Sequence, residues 1–202
     1  MMRRTLVALA VVLCTAAAGA AQVTAGFRAW TAEDARRIRV AEAPPSLSSV
    51  ALIDRDGSKT SLWGPDPQVR AWLVSFMYTD CPSMCLALGS EFQQMQASMG
   101  TGEHVRLASL SFDRARDTPE ALAAYAARFR ADPALWLVAV PESDVVLARL
   151  LRETGVVAID DGAGGYAHNA AIHVVTSSGK LVALFDLERY DEALAFARTL
   201  AN

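Results

Sequence analysis

The sequence predicts an α/β fold in which a central mixed sheet is flanked by helices. The run 71–77 (AWLVSFM) is almost continuously apolar, as expected for a strand buried on both faces. After an N-terminal hairpin, strand-like and helix-like segments alternate in the order β-α-β-α-β-α-β-β-α, which is typical of an α/β sandwich. Apolar residues make up 52% of the 202 residues, which is enough for a substantial core.

The first elements follow from a turn signal and an apolar run. Asp56 and Gly57 lie between two strand-like segments, 49–54 and 59–63, and this pattern predicts the N-terminal hairpin. The buried strand comes next. Apolar residues then recur at helical spacing to about Met99, which predicts a helix directly after that strand.

Capping residues mark two later helices. Thr118 is placed to cap a helix whose first turn holds Pro119 and Glu120, the residue types favoured at that end. Gly155 is placed to end the helix before it. The remaining predicted strands are 104–112, 135–140, 170–175 and 180–185, with a short strand-like stretch at 156–159. These two helices are predicted at 118–130 and 143–153, and a final helix at 191–201.

The N-terminus has the pattern of an export signal. Arg3 and Arg4 precede the apolar run 6–13, and small residues lead to a signal-peptidase site at 18–20. We therefore expect residues 1–20 to be a cleaved signal peptide. Two alternatives remain, an uncleaved membrane anchor and a lipid-anchored cysteine within the segment.

The rest of the chain divides into a tail and a domain. Residues 21–46 are rich in alanine with polar and proline interruptions, and predict a linker with a short helix around 31–39. Residues 47–202 form the predicted domain. The formal net charge is −3, and no basic block is interleaved with aromatic residues, which argues against a nucleic-acid partner.

Two cysteines remain once Cys14 has left with the signal. Cys81 and Cys85 would lie in an oxidising compartment outside the cytoplasm, where thiols can form a disulfide. A bridge across so short a loop removes little unfolded-state entropy, so the spacing favours a functional pair over a structural one.

The two cysteines lie where the buried strand gives way to a helix. Backbone N–H groups and the helix dipole at this end favour thiolate over thiol. Because positions i and i+4 share a helix face, both sulfurs can reach one ion. Two thiolates suit Cu(I), and an added imidazole could also hold Cu(II). The alternative is a pair of ordinary core cysteines.

A third ligand is expected from among three histidines. His104 opens a predicted strand in a polar stretch and is expected at the surface. His173 lies inside a strand, where a hydrogen-bonded core histidine is the common outcome. His168 ends the Gly-rich segment 160–167, and loops at strand ends are where reactive groups gather.

Three segments, in order, resemble the signatures of the Sco/SenC family. They are 75–85 (SFMYTDCPSMC), 110–119 (LSFDRARDTP) and 166–169 (YAHN), the last followed by the turn 178–180. The resemblance covers about residues 45–200. It implies a thioredoxin-like fold. From the export signal, we expect the protein in the periplasm or on the outer face of the cytoplasmic membrane.

The same resemblance implies a copper site and a partner. Its three ligands would be Cys81, Cys85 and His168, holding Cu(I) or Cu(II). The family is implicated in delivering copper to the copper A centre of cytochrome c oxidase, or in reducing that centre's cysteines, so the copper-bearing oxidase subunit is the implied partner. Other thiol or copper proteins of the cell envelope are further candidates. The chain departs from the family at Ala167 and Asn169, where Asp and Ser or Thr are usual, so an acidic group beside the histidine is missing.

Three functions fit these residues. The first is a copper metallochaperone, which is not an enzyme. The second is a thiol–disulfide oxidoreductase using Cys81 and Cys85, although such enzymes generally have two intervening residues and no need for His168. The third is a peroxidase of peroxiredoxin type, for which the sequence gives only a faint signal. Asp113 has two predicted roles: it lies near the copper site at the end of its strand, or, together with Asp117, it shapes the loop by pairing with Arg114 or Arg116.

Overall fold

The structure, a computed structural model, describes residues 2–24, 26–64, 66, 68–81, 84–100 and 102–201. The side chains of Met2, Arg3, Met84 and Cys85 lie outside this description. The chain divides into two compact units, Met1–Ala43 and Pro44–Asn202.

The first unit contains two helices. Helix α1 spans Met2–Val23, and its stretch Arg4–Val23 has a mean hydropathy of 2.2, so it is long and apolar enough to cross a membrane. Helix α2 spans Ala32–Glu42 and begins with a reciprocal cap between Thr31 and Asp34, which confirms the short helix expected here.

The second unit is built on one mixed sheet. Among the described residues it has seven strands, namely β1 (Val50–Asp54), β2 (Lys59–Leu62), β3 (Ala71–Met77), β4 (Val105–Ser111), β5 (Trp136–Pro141), β8 (Ile172–Thr176) and β9 (Leu181–Phe185); the intervening β6 (Ala158–Asp160) and β7 (Tyr166–His168) form a second, smaller sheet. The order in the large sheet is β2-β1-β5-β4-β3-β8-β9. β3 pairs in parallel with β4, and β4 with β5, whereas the remaining pairs are antiparallel.

Helices flank this sheet. They are α3 (Met84–Ser98), α4 (Pro119–Arg128), α5 (Asp144–Thr154), a 3-10 turn (Leu187–Arg189) and α6 (Tyr190–Ala201). The Thr118 hydroxyl accepts from an amide of the first turn of α4, and Gly155 ends α5 with φ of 70° in the left-handed region. The mixed sheet, its N-terminal hairpin and the flanking helices are confirmed.

Two parallel strands determine where the functional residues emerge. β3 and β4 pair from Ala71↔Val105 to Met77↔Ser111, so both end at the same edge. All but one side chain of each strand is buried, because neighbouring strands and helices cover them. The segments that follow, 78–81 and 112–117, therefore leave the sheet side by side.

The segment predicted as a loop at 160–167 contains a strand. β6 (Ala158–Asp160) and β7 (Tyr166–His168) form a separate two-stranded antiparallel sheet that pairs Ala158 with His168. Three glycines and two aspartates in this segment are poor strand formers, so its local propensity gives no strand signal. The hairpin is instead stabilised by the packing of its aromatic residues on the rest of the domain.

Gly89 on α3 allows a close approach that a side chain would prevent. A Cβ at this position would lie 2.7 Å from Phe129 Cδ2 and closer still to two other ring atoms. The Phe129 ring packs in turn on Tyr125 and Trp136, with centroids 4.8 and 6.4 Å away, so it has little room to move.

We therefore expect Gly89→Ala to lower the free energy of unfolding by about 1–3 kcal/mol, in spite of alanine's better helix propensity. Urea unfolding followed by circular dichroism measures the change. Ser90→Ala, on the exposed side of the same helix, is the control and should not lower the midpoint, since alanine has the better helix propensity. Equal stability of the two variants would contradict the close packing.

Candidate metal centre

Cys81 lies at the edge where β3 ends. It is 8% exposed, follows β3 by four residues and precedes the first residue of α3 by three. The backbone of Cys85 lies in the first turn of α3, whereas its side chain and the whole of Pro82 fall outside the described residues. The predicted convergence of the two sulfurs therefore stays a prediction.

His168 is the last residue of β7, and its ring packs among aromatic side chains. Its centroid lies 5.1 Å from that of Phe112 and 6.4 Å from that of Tyr78, both at edge-on angles. Phe112 directly follows β4 and Tyr78 directly follows β3. The imidazole is therefore at the same edge of the sheet from which Cys81 emerges.

The imidazole of His168 has a buried nitrogen without a hydrogen-bond partner. Its Nδ1 is inaccessible to solvent, and no described residue donates to it or accepts from it. Burial lowers the pKa of His168 from its ordinary 6.5, although a backbone contact with Asn169 opposes this. Burial therefore favours the neutral ring, the form in which imidazole binds metals.

The other two histidines are engaged elsewhere. His173, in β8, is 1% exposed, and its Nδ1 lies 3.1 Å from the carbonyl oxygen of Ala171. His104 is exposed and precedes β4, at the opposite end of that strand, with its Nδ1 2.9 Å from the carbonyl oxygen of Gln68. Both positions agree with the prediction of a core histidine and a surface histidine.

Asp117 connects the two segments that leave the sheet, 78–81 and 112–117, through hydrogen bonds. Its carboxylate accepts hydrogen bonds from the backbone N–H of Thr79 (3.0 Å), the Thr79 hydroxyl (2.6 Å) and the Ser111 hydroxyl (2.5 Å). It is 2% exposed. Its structural role agrees with the prediction, but its partners are hydroxyl and amide groups rather than the predicted arginines.

Asp113 is also structural, and it pairs with one of the expected arginines. Its buried carboxylate accepts from Nε of Arg116. Arg114 instead reaches Asp144, with Nε 2.6 Å from Oδ1. Sequence reasoning did not assign Arg116 to the site, although its position between two aspartates in the second signature was a signal that could have done so.

The two departures from the family pattern have different consequences. Ala167 is exposed, since alternate residues of β7 face opposite ways, so its side chain points away from the packed ring of His168. The side chain of Asn169 accepts from the N–H of Val157 (2.7 Å) and donates to the carbonyl of Gly155 (3.2 Å). Asn169 therefore fastens the base of the hairpin.

The donor set fits a soft metal ion only if Cys85 takes part. Within the described part of the chain, no three His, Cys, Asp or Glu side chains form a group that could hold an ion. Cys81 and His168 supply one sulfur and one neutral nitrogen, a combination suited to copper or zinc.

A pocket of about 290 Å³ lies beside Cys81, between α3 and α4. Its walls include Leu86, Ala121 and Tyr125, and Arg128 lies at its exposed rim. Although Cys81 is largely buried, this pocket gives its thiol a route to a small group brought by another molecule.

A family model described as SCO1/SenC matches residues 41–200. No curated protein matches the chain.

Solved structures are similar over most of the chain. The structure of Bradyrhizobium japonicum ScoI with copper bound shares 25% identity, with a TM-score of 0.64 over 77% of this chain and 99% of that chain. A SCO1/SenC family lipoprotein from Bacillus anthracis str. Ames shares 19% identity, with a TM-score of 0.70 over 79% of this chain and 98% of that one. BsSco, described as a member of the Sco family of cytochrome c oxidase assembly proteins, shares 18%, with a TM-score of 0.67 over 79% and 95%. These likenesses confirm the thioredoxin-like fold.

The loop between β6 and β7 depends on one carboxylate. Oδ1 of Asp161 accepts from the N–H groups of Ala163 (2.8 Å) and Gly165 (2.9 Å). These two bonds hold the pKa of Asp161 below its ordinary 3.8. The stabilisation is therefore fully present above pH 3.8 and is lost as the pH falls through the lower pKa of the folded state.

We expect the amide resonances of Ala163 and Gly165 to shift together on acidification, with a midpoint below 3.8. NMR titration of the protein measures this directly. The amide of Gly179, which donates to the backbone carbonyl of Thr176, is an internal control and should not follow the same curve. A midpoint above 3.8 would contradict the assigned hydrogen bonds.

Proposed function

We propose that this chain, which belongs to the SCO1/SenC family, binds a copper ion through Cys81, Cys85 and His168 and carries it to other proteins. The observation that carries the proposal is the buried, unpartnered Nδ1 of His168, which lies at the sheet edge from which Cys81 emerges. A buried polar atom without a hydrogen bond is costly, so its persistence is best explained by a ligand.

The chemistry of the three donors supports copper as the cargo. Two thiolates favour Cu(I), and an imidazole extends the range to Cu(II). Each donor must be deprotonated to bind. The desolvated ring of His168 meets this requirement, and the N-terminus of α3 favours the thiolate form of a cysteine placed at it.

Delivery requires that the cargo can also leave. Three protein donors leave a copper ion open to a further ligand from a recipient, and the pocket beside Cys81 provides room for one. Arg128 at its rim adds a positive charge, because no described carboxylate pairs with it. A recipient thiolate approaching Cys81 would therefore meet a favourable field.

The recipient that we propose is the copper-bearing subunit of cytochrome c oxidase, whose copper A centre contains cysteines. The family resemblance supports it, together with the description of BsSco as a member of a family of oxidase assembly proteins. Such a recipient faces the outside of the cytoplasmic membrane. The apolar helix α1 supports export to that side, with the chain either cleaved or anchored.

A second candidate function is thiol–disulfide exchange, in which the reduced Cys81 and Cys85 would act on a disulfide of the recipient, reducing it to two thiols while they themselves form a disulfide. The pocket that contains Cys81 favours it, because exchange requires an attacking sulfur to reach a cysteine sulfur. This activity needs neither copper nor His168. Copper binding by the reduced protein therefore separates the two functions.

We expect His168→Ala to weaken Cu(I) binding by more than about 100-fold, because loss of a ligand outweighs the ~10–100-fold cost of losing a group that only supports one. The measurement is an anaerobic titration of the reduced protein against a chromophoric chelator. His104→Ala removes an exposed imidazole from the far end of β4 and should bind as the parent does. Equal affinities for the two variants would exclude His168 as a ligand.

Oxidation should abolish Cu(I) binding. A disulfide between Cys81 and Cys85 leaves no thiolate to coordinate the ion, and one imidazole alone binds Cu(I) weakly. We expect the oxidised protein to leave the chelator's spectrum unchanged, and treatment with a reductant that is then removed to restore one equivalent of binding. Stoichiometric tight binding by the oxidised protein would rule out the thiolate site.

A further inference from the structure

We propose that Arg116 is a positioning residue that holds the hairpin of β6 and β7, and with it the imidazole of His168, against the end of the sheet. This rests on the proposed function for the role of His168 as a ligand. The hairpin placement itself is a property of the metal-free protein.

Arg116 links the sheet side of the site to the hairpin, and its partner on the sheet side is Asp113. Asp113 follows β4 by two residues, is 2% exposed, and its backbone N–H donates to the Ser111 hydroxyl at 3.0 Å. A carboxylate this deeply buried requires a cationic or hydrogen-bonding partner, and Nε of Arg116 supplies it. Arg116 is thereby anchored to the sheet, although its own side chain is 41% exposed.

The other end of the link is the hairpin. Nη1 of Arg116 donates to the carbonyl oxygen of Gly164, in the loop between β6 and β7. Gly164 has φ of 92°, which favours glycine, so this carbonyl is presented by a backbone conformation that other residues rarely adopt. The guanidinium carbon also lies 5.4 Å from the ring centroid of Tyr166 and 6.0 Å from that of Tyr78.

The hairpin needs such a link because few residues pair between its two strands. Its two strands have three residues each, and among the described residues no ladder joins them to the seven-stranded sheet. A lone two-stranded hairpin is marginally stable in water. Besides ring packing, two contacts between described residues hold the loop end of the hairpin: the bond from Arg116 to Gly164, and a long hydrogen bond (3.4 Å) from the N–H of Tyr166 to the Tyr78 hydroxyl.

The orientation of His168 depends on this placement. Ala167 offers no carboxylate, and no described group hydrogen-bonds to Nδ1. The ring is therefore oriented by packing on Phe112 and Tyr78, which belong to the sheet side of the contact. If the hairpin lifts from the sheet edge, the imidazole moves with it.

An arginine suits this role better than a lysine. The guanidinium donates through Nε to Asp113 and through Nη1 to Gly164, while its plane lies near two aromatic rings. A lysine ammonium is a compact point charge and cannot reproduce that fork. It could retain the ion pair with Asp113, but we expect it to lose the carbonyl contact.

The test compares Arg116→Gln and Arg116→Lys with Arg114→Gln in the full chain in detergent micelles. Arg114 pairs with Asp144 away from the hairpin, so it is a matched control from the same motif. Hydrogen exchange of the metal-free protein, read by mass spectrometry over residues 158–168, reports hairpin placement. Competition titration with Cu(I) reports affinity, and the electron paramagnetic resonance of the Cu(II) form reports nitrogen coordination.

For Arg116→Gln we expect exchange over 158–168 to rise about ten-fold while exchange of β3 and β4 is unchanged. Cu(I) affinity should fall by roughly 10–100-fold with a weakened nitrogen signature, and Arg116→Lys should restore only part of both. Arg114→Gln should match the parent. Unchanged exchange in Arg116→Gln, or faster exchange with parental affinity and spectrum, would overturn the proposal. If the parent chain itself bound no copper, the proposed function would fail while the exchange result still stood.

Discussion

The parallel pairing of β3 and β4 is the constraint on which the rest of the site depends. Their register, Met77 opposite Ser111, makes both strands end at one edge, and the N–H of Phe112 continues the ladder to the carbonyl of Met77 at 3.0 Å. Two buried, parallel strands cannot slip without moving every side chain to the wrong face. The cysteine segment and the Asp113 loop are therefore brought together by the sheet before any metal is involved.

The loops at this edge are then fixed by buried polar groups. Asp117 accepts three hydrogen bonds from Thr79 and Ser111, which hold the chain that leads to Cys81. Asp113 holds Arg116, which reaches the hairpin. Because a buried carboxylate is costly unless fully bonded, each of these residues enforces one arrangement of its neighbours. The part of the site formed by the ends of the sheet is therefore preorganised. The histidine lies on the hairpin, which is held less firmly.

Much of this could be predicted from local patterns. The apolar run of β3, the caps at Thr118 and Gly155, and the turn at Gly57 each depend on a few adjacent residues, so their elements were predicted closely. The different environments of His104 and His173 also followed from strand position. Strand β7 was missed because its stability comes from Tyr78 and Phe112, which are distant in sequence.

The sequence by itself determined the fold class and the residues capable of binding a soft metal, since periodicity and donor chemistry are local properties. Only the tertiary structure decided how His168 is presented. Its Nδ1, for which the described residues offer no hydrogen-bond partner, is buried against the ends of β3 and β4, and the contact of Arg116 with the hairpin crosses from one loop to another. Such contacts join residues about 50 positions apart, as Arg116 and Gly164 are. They depend on desolvation and packing between distant segments, which no local sequence pattern encodes.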